Sequence, residues 1–276
     1  MLIRIFYLQF VFLVFNRVMM PFMNPIVVVK YGGNAMKKLE LRRAIAQEIA
    51  NLRRTRAVVV VHGGGPVIEK DLARVGIESS FLRGLRITTP EALEVIEKAI
   101  TALSKELAQD IGEAIGLTGR DCNLLKARIL EPEYGRVGRV FEVNTSLIET
   151  LLGQNITPVI GCIALDASGE PLNVNADWAA GAVAGLLNSE IIFLTDVAGV
   201  LRDPKDPSSL RKNLHELDAI SWIDQGIISG GMIPKVEAAL NALAMGAPQA
   251  TIASGMEAGI LELALRGEAG TIFTPD

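Results

Sequence analysis

Two runs of branched aliphatic residues, each broken off by glycines, constrain this chain more than any other feature. Ile26–Lys30 reads IVVVK and leads into Gly32-Gly33, and Ala57–Val61 reads AVVVV and leads into His62-Gly63-Gly64-Gly65-Pro66. Unbroken runs of this kind are buried on both faces, the pattern of central strands in a parallel sheet. Between them Leu41, Ile45, Ile49 and Leu52 recur at helical spacing within Leu39–Arg54, and Val67–Val75 is helical again. Strand, glycine turn and helix therefore come twice in succession, a βαβ pattern that predicts an α/β fold with right-handed crossovers.

The pattern continues down the chain. Pro90–Ile115 is a predicted long helix, with Thr89 as N-cap and Pro90 at its first position. Leu93, Ile96, Ile100, Leu103 and Leu107 line one face of it, which suggests a dimer helix. Strands are expected at Leu124–Leu130, Arg139–Val143, Thr157–Ile160, Cys162–Asp166, Ile191–Thr195, Ala250–Ala253 and Thr271–Phe273. Helices are expected at Ser146–Leu152, Trp178–Leu187 and from Ile233 to Met245, and residues 202–213 read as a polar, Pro-rich loop. The Asp166–Pro171 turn is the expected lobe boundary, dividing residues 24–170 from 171–276.

Composition excludes several classes. A net charge of −4 with 5% aromatic residues leaves neither the basic footprint nor the stacking platforms of a nucleic-acid binder. The 2 cysteines, Cys122 and Cys162, lie in no CxxC and beside no histidine, so they read as reduced structural thiols. Residues 1–23 are apolar, but Arg4 and Gln9 break a stretch already short of the roughly 20 residues that span a bilayer. No small-x-small cleavage site follows. The segment reads first as an over-extended gene start, with Met19, Met20 and Met23 as other starts, then as an assembly helix, then as a targeting or membrane segment. The rest reads as a soluble, cytoplasmic protein.

Chemistry concentrates in three glycine turns: Lys30-Tyr31-Gly32-Gly33, His62-Gly63-Gly64-Gly65 and Ser229-Gly230-Gly231-Met232. Glycine lets backbone approach an anion, and a helix N-terminus offers unpaired N–H groups. No GxxxxGK[ST] and no GxGxxG is present, so the Walker and dinucleotide loops are disfavoured. Lys30 ends a buried strand, where side chains face the ligand crevice of an open sheet. Lys235 sits in the first turn of a helix, an unfavourable place for a cation unless a phosphate lies beside it. Asp177 and Asp196 stand at a helix start and a strand end. Only 2 histidines occur, with no GxSxG and no HExxH, which disfavours histidine- or zinc-based hydrolysis. Phosphoryl transfer to a carboxylate needs no general base, because the acceptor is already ionised at neutral pH. It needs positioning and charge neutralisation, which lysines and backbone N–H groups supply.

The stretches KYGGNAM (Lys30–Met36), HGGGP (His62–Pro66), GLRIT (Gly84–Thr88), NVNAD (Asn173–Asp177), LTDVAGVL (Leu194–Leu201) and ISGGMIPKVEAAL (Ile228–Leu240) stand in an order and spacing that resemble the N-acetylglutamate kinase family of the amino-acid kinase superfamily. The resemblance spans nearly all of residues 24–276. It implies a three-layer αβα sandwich on a mainly parallel open sheet, with the acyl amino acid on the N-lobe and ATP on the C-lobe. It implies ATP-dependent phosphorylation of the side-chain carboxylate of N-acetyl-L-glutamate, in arginine biosynthesis. Lys30 and Lys235 would contact the transferring phosphoryl group, and Asp177 would hold both lysines. Gly64 and Gly65 would bind the acceptor through N–H groups, Arg86 would pair with its carboxylate, and Asn173 would contact it too. Gly32, Gly33, Thr195, Asp196, Gly230, Gly231 and Met232 would lie at the nucleotide. Mg²⁺ would be held by ATP oxygens and water rather than by a protein metal site. A cytoplasmic homodimer or higher oligomer is implied, with no membrane or nucleic-acid partner.

There are departures. Leu103-Ser104-Lys105 stands where the family usually has VNK, and Ala253-Ser254-Gly255-Met256 replaces a DGR-like segment of the arginine-feedback site. Arginine inhibition is therefore not carried over. The apolar residues 1–23 show no amphipathic face for the helix that joins dimers in arginine-inhibited relatives. One alternative is a sister kinase acting on N-acetyl-aminoadipate or a carrier-linked glutamate or aminoadipate, since one methylene changes binding by only about 1–3 kcal/mol. An alternative of another class is a non-catalytic effector-binding subunit of the same fold, which would have no need of Lys30, Lys235 and Asp177.

Overall fold

A computed structural model describes residues 24–32, 36 and 38–276. Gly33 and residues 1–23, 34, 35 and 37 lie outside the described residues. The first half runs β1 (Ile26–Tyr31), α1 (Leu39–Leu52), β2 (Ala57–His62), α2 (Gly65–Arg74), a short hairpin β3 (Phe81–Leu82) and β4 (Leu85–Arg86), α3 (Pro90–Ile111) and β5 (Ala114–Thr118). It continues through β6 (Leu125–Ile129), β7 (Val137–Val143), α4 (Thr145–Gly153), β8 (Thr157–Gly161), β9 (Ile163–Leu165) and β10 (Pro171–Val174). The remainder is α5 (Ala176–Leu186), β11 (Glu190–Thr195), β12 (Asn213–His215), α6 (Glu216–Asp224), α7 (Ile233–Ala244), β13 (Ala250–Ser254), α8 (Ile260–Leu265) and β14 (Thr271–Thr274).

Eight strands form one sheet in the order β12-β14-β13-β11-β1-β2-β8-β5. Every neighbouring pair is parallel except β13 with β14. The β-branched runs now have a physical reason. Val27 and Val29 join a core cluster with Ile45, Ile49, Leu103 and Leu107 of α1 and α3. Val28, between them, joins the opposite cluster with residues of α5 and α7 such as Val183 and Val236. Alternate residues of one strand therefore bury into different helical layers, which makes the molecule the expected αβα sandwich and leaves no polar face on β1.

A second sheet of four strands, β10-β7-β6-β9, closes on itself beside the main sheet. β10 lies parallel to β7 and antiparallel to β9, so it joins strands that precede residue 170.

The long helix differs from its expected span. It ends at Ile111, because Gly112 takes a left-handed φ of 84° and stops it, and Ala114–Thr118 becomes the edge strand β5. Its apolar face is spent inside the chain. Leu93, Ile96 and Ile100 pack with Ile68 and Leu72 of α2, and Leu103, Leu107 and Ile111 with the sheet and α1. These residues are buried within the chain itself.

Helices α5 and α7 approach through glycine. A Cβ at Gly181 would sit 3.3 Å from Ala242 Cα, and one at Gly185 would collide with the backbone carbonyl of Met245. No described helix is long and apolar enough to cross a membrane.

Candidate active site

In an open α/β sheet, ligands bind outside the carboxyl ends of the strands where the strand order reverses. Here β1 is the reversal point, flanked by β2 on one side and β11 on the other. A cleft of about 410 Å³ opens there, lined among others by Lys30, Gly32, Asp177, Thr195, Asp196 and Lys235.

Each side chain is delivered by an element end. Lys30 is the penultimate residue of β1, in register with Val61 of β2 and Phe193 of β11. Its ammonium folds back over Gly32, where an added Cβ would lie 3.3 Å from Lys30 Nζ. Asp177 sits in the first turn of α5. Asn175 caps that helix, its Oδ1 accepting from the N–H groups of Asp177 at 2.8 Å and Trp178 at 3.1 Å. The cap starts the helix two residues before the apolar pattern does, at Ala176 rather than Trp178. Thr195 ends β11 and its Oγ1 accepts from Val197 N–H at 3.1 Å, which shapes the turn that carries Asp196. The turn Gly230–Met232, with Gly230 at a left-handed φ of 56°, leads into α7, and Lys235 lies in the first turn of that helix.

The charges pair across these elements. Lys30 Nζ lies 2.8 Å from Asp177 Oδ1 with the lysine side chain 12% exposed. Lys235 Nζ lies 3.4 Å from Asp196 Oδ1 and donates to Gly231 O at 3.2 Å, with the lysine 28% exposed. Asp177 pairs with Lys30, and the ion pair formed by Lys235 is with Asp196. Two cations and two carboxylates thus share a cleft that is neutral overall, ready to trade its internal pairs for an incoming anion. The described residues gather no cluster of three metal-ligating side chains.

A second group lies at the other side of the start of α5, where a Cβ on Gly63 would be 3.3 Å from Ala176 Cβ. Thr88 organises it. The buried Thr88 Oγ1 donates to Arg86 O at 3.0 Å and accepts from Asn173 Nδ2 at 3.0 Å, joining the two expected acceptor-binding residues in one chain of hydrogen bonds. Arg86 stacks over the Phe81 ring at 4.6 Å, pairs with Glu69 at 3.0 Å and contacts Ser79 Oγ. The Ser79 hydroxyl and then the Arg86 guanidinium hold the Glu69 carboxyl below the usual carboxylate range. The N–H groups of Gly64 and Gly65 donate to no described residue, and Gly65 faces open space.

Gly64, Gly65, Arg86, Asn173, Gly230, Gly231 and Met232 are not among the walls of the main cleft. Pro66, Phe193, Leu194, Pro234 and Ala238 do line it and were not singled out from sequence. Pro66 and Pro234 flank glycine turns, a signal that could have marked them. Phe193 and Leu194 were hidden in an apolar strand.

Comparison with known proteins gives a family context. Residues 25–254 match the model described as "Amino acid kinase family". The chain is 57% identical over 249 residues to a Deinococcus radiodurans protein named acetylglutamate kinase, covering 90% of this chain and 100% of that one. It is 51% identical over 256 residues to one of the same name from Thermus thermophilus, covering 91% and 100%. A crystal structure of a Streptococcus mutans UA159 protein superposes with a TM-score of 0.75 at 28% identity, covering 91% and 99%.

Proposed function

The chain belongs to the amino acid kinase family, and from that premise we propose that it transfers the γ-phosphoryl group of ATP to the side-chain carboxylate of N-acetyl-L-glutamate, forming the acyl phosphate. This is a step of arginine biosynthesis. The observation that carries the reading is the convergence of Lys30 and Lys235, from a strand end and a helix start, on one cleft at the carboxyl edge of a parallel sheet.

The chemistry follows from charge. The acceptor carboxylate is ionised at neutral pH and attacks without a base. The obstacle is bringing two anions together and accommodating the charge that spreads over the transferring group. Lys30 and Lys235 neutralise that charge from two sides. Asp177 and Asp196 keep the ammonium groups in place before ligands arrive, so little reorganisation is needed when the reaction occurs. Arg86, Asn173, Gly64 and Gly65 are assigned to the acceptor, and Gly32, Thr195, Asp196, Gly230, Gly231 and Met232 to the nucleotide. The acceptor groups lie before residue 170 except Asn173, which β10 carries back onto strands of the first half, and the nucleotide groups lie after it except Gly32 at the end of β1. Mg²⁺ would supply further neutralisation of the phosphates, held by ATP oxygens and water, as that ion prefers. The protein is assigned to the cytoplasm and to a homodimer on the family resemblance.

The relatives' names favour acetylglutamate over the aminoadipate and carrier-linked acceptors. A coupled assay of ADP release tests this, comparing N-acetyl-L-glutamate with N-acetyl-aminoadipate at equal concentrations. ADP release dependent on the first and at least about tenfold slower on the second supports the reading, a methylene being worth up to about 1–3 kcal/mol. No acceptor-dependent ADP release would return the chain to the non-catalytic alternative.

A further inference from the structure

His62 ends β2 with its ring fully buried, and the chemistry above makes no use of it. Nδ1 lies 2.8 Å from the carbonyl oxygen of Gly63, and Nε2 lies 2.8 Å from Ser104 Oγ on α3. A carbonyl only accepts, so Nδ1 carries the ring proton and donates it to Gly63. Burial keeps the ring neutral, its pKa pushed down to about 4. Nε2 therefore keeps its lone pair and accepts from the Ser104 hydroxyl, whose other acceptor would be Ile100 O at 2.9 Å.

The fold makes room for this pair. Gly161 of β8 is in register with His62, and a Cβ there would collide with Ile100 Cγ2 and sit 2.8 Å from Ser104 Oγ. The rest of the glycine loop is tied as well. Gly63 N–H donates to Tyr31 O at 3.2 Å, Cys162 Sγ donates to His62 O at 3.0 Å, and Ile68 N–H donates to Gly64 O at 2.8 Å. Among the described residues, the N–H groups of Gly64 and Gly65 have no acceptor.

The Gly63–Gly64 peptide is planar and trans, so its carbonyl and its N–H point to opposite sides. Turning the Gly63 carbonyl to the His62 ring turns the Gly64 N–H away from it. Two glycines in a row have no side chains to resist rotation of that peptide. We propose that His62, itself held by Ser104, is a positioning residue that fixes the Gly63–Gly64 peptide so that the Gly64 N–H is presented to the carboxylate-bearing acceptor. This rests on the reading of Gly64 as an acceptor-binding group. A donor oriented in advance binds an anion better than one that must be ordered on arrival.

Two substitutions separate the ring's halves. In His62→Asn the amide nitrogen takes the place of Nδ1 and still reaches Gly63 O. In His62→Gln the amide takes the place of Nε2, reaches Ser104 and leaves the Gly63 carbonyl without its donor. ADP release would be measured with each substrate titrated in turn, alongside the unfolding midpoint. Loss of one oriented hydrogen bond corresponds to about a tenfold effect. His62→Gln is expected to raise the KM for N-acetyl-L-glutamate about tenfold with the KM for ATP unchanged, while His62→Asn retains the wild-type acceptor KM. Equal acceptor KM in the two variants overturns the proposal, as does a loss of active protein with no change in KM. Should His62→Gln fail to fold, Ser104→Ala frees the ring: a raised acceptor KM of about threefold supports the proposal and an unchanged one overturns it. A wild-type protein inert toward the acceptor overturns both the proposal and the reading beneath it, and shows this without any variant.

Discussion

Lys30 Nζ and Asp177 Oδ1 stand 2.8 Å apart, a contact that ties the end of a buried central strand to the first turn of α5. Neither partner could be placed by its own element alone. The strand fixes where the ammonium starts, and the Asn175 cap fixes where the carboxylate starts. The pair is only partly exposed, at 12% and 35%, so its value lies in geometry more than in stability. Asp177→Asn is expected to lower kcat about 100-fold while the protein stays folded, because a displaced lysine costs orientation. Steady-state kinetics beside a thermal melt would check this; a parallel loss of folded protein would move the residue's role from catalysis to structure.

Lys235 gives a sharper contrast. It is a cation in the first turn of α7, where the helix dipole disfavours it by about 0.3–1 kcal/mol, and its exposed pair with Asp196 returns a similar small amount. Lys235→Ala should therefore change stability by no more than about 0.5 kcal/mol in urea titration while kcat falls about 100- to 1000-fold. Near wild-type turnover in that variant would remove the lysine from the phosphoryl site.

Arg86 lies over the Phe81 ring and pairs with Glu69, and a planar fork suits a carboxylate as a point charge does not. Arg86→Lys keeps the charge and loses the fork. The expected outcome is a rise of roughly 10- to 100-fold in the KM for N-acetyl-L-glutamate, with the KM for ATP unchanged. Substrate-saturation curves for both ligands read this directly.

His62 also writes a pH dependence into stability. The folded ring's pKa is lowered to about 4 by burial, against 6.5 for an unperturbed imidazole. Between those values the unfolded chain binds a proton that the folded chain excludes. Stability therefore rises with pH through this window, is fully present above 6.5, and is lost as acid is added. The slope contributed is at most about 1.4 kcal/mol per pH unit. Urea unfolding at successive pH values should show that extra slope in the wild type and not in His62→Asn. Equal slopes would assign the acid sensitivity to other groups.

What the chain discloses in advance depends on how much redundancy a feature carries. β1 and β2 were legible because strands buried on both faces need no alternation, and glycines mark their ends. The positions of Lys30, Asp177 and Lys235 at element ends are legible because each lies in a glycine- or asparagine-marked stretch, and the fold brings all three to one cleft. The short β10, β12 and α8 were missed because four, three and six residues cannot display a period. The Lys235–Asp196 pair is not legible in the sequence, because pairing is set by where Asp196 lands after β11, which a string of residues does not state. A serine on the apolar face of a helix gives no sign, in sequence, of the histidine across from it.

The glycine seam between α5 and α7 works as a spacer made of missing atoms. α5 begins at Asp177's turn and α7 at Lys235's, and the two helices touch far down their lengths, at Gly181 against Ala242 and Gly185 against Met245. The gap between the two helix starts, and so between the charges they carry, is gauged at residues that are not among the walls of the cleft. A single methyl group at Gly185 would act as a shim driven between the helices, costing about 1–3 kcal/mol and detuning the cleft from behind. Mutations that silence this protein need not cluster around its substrates; some belong along this seam, where the instrument is calibrated rather than played.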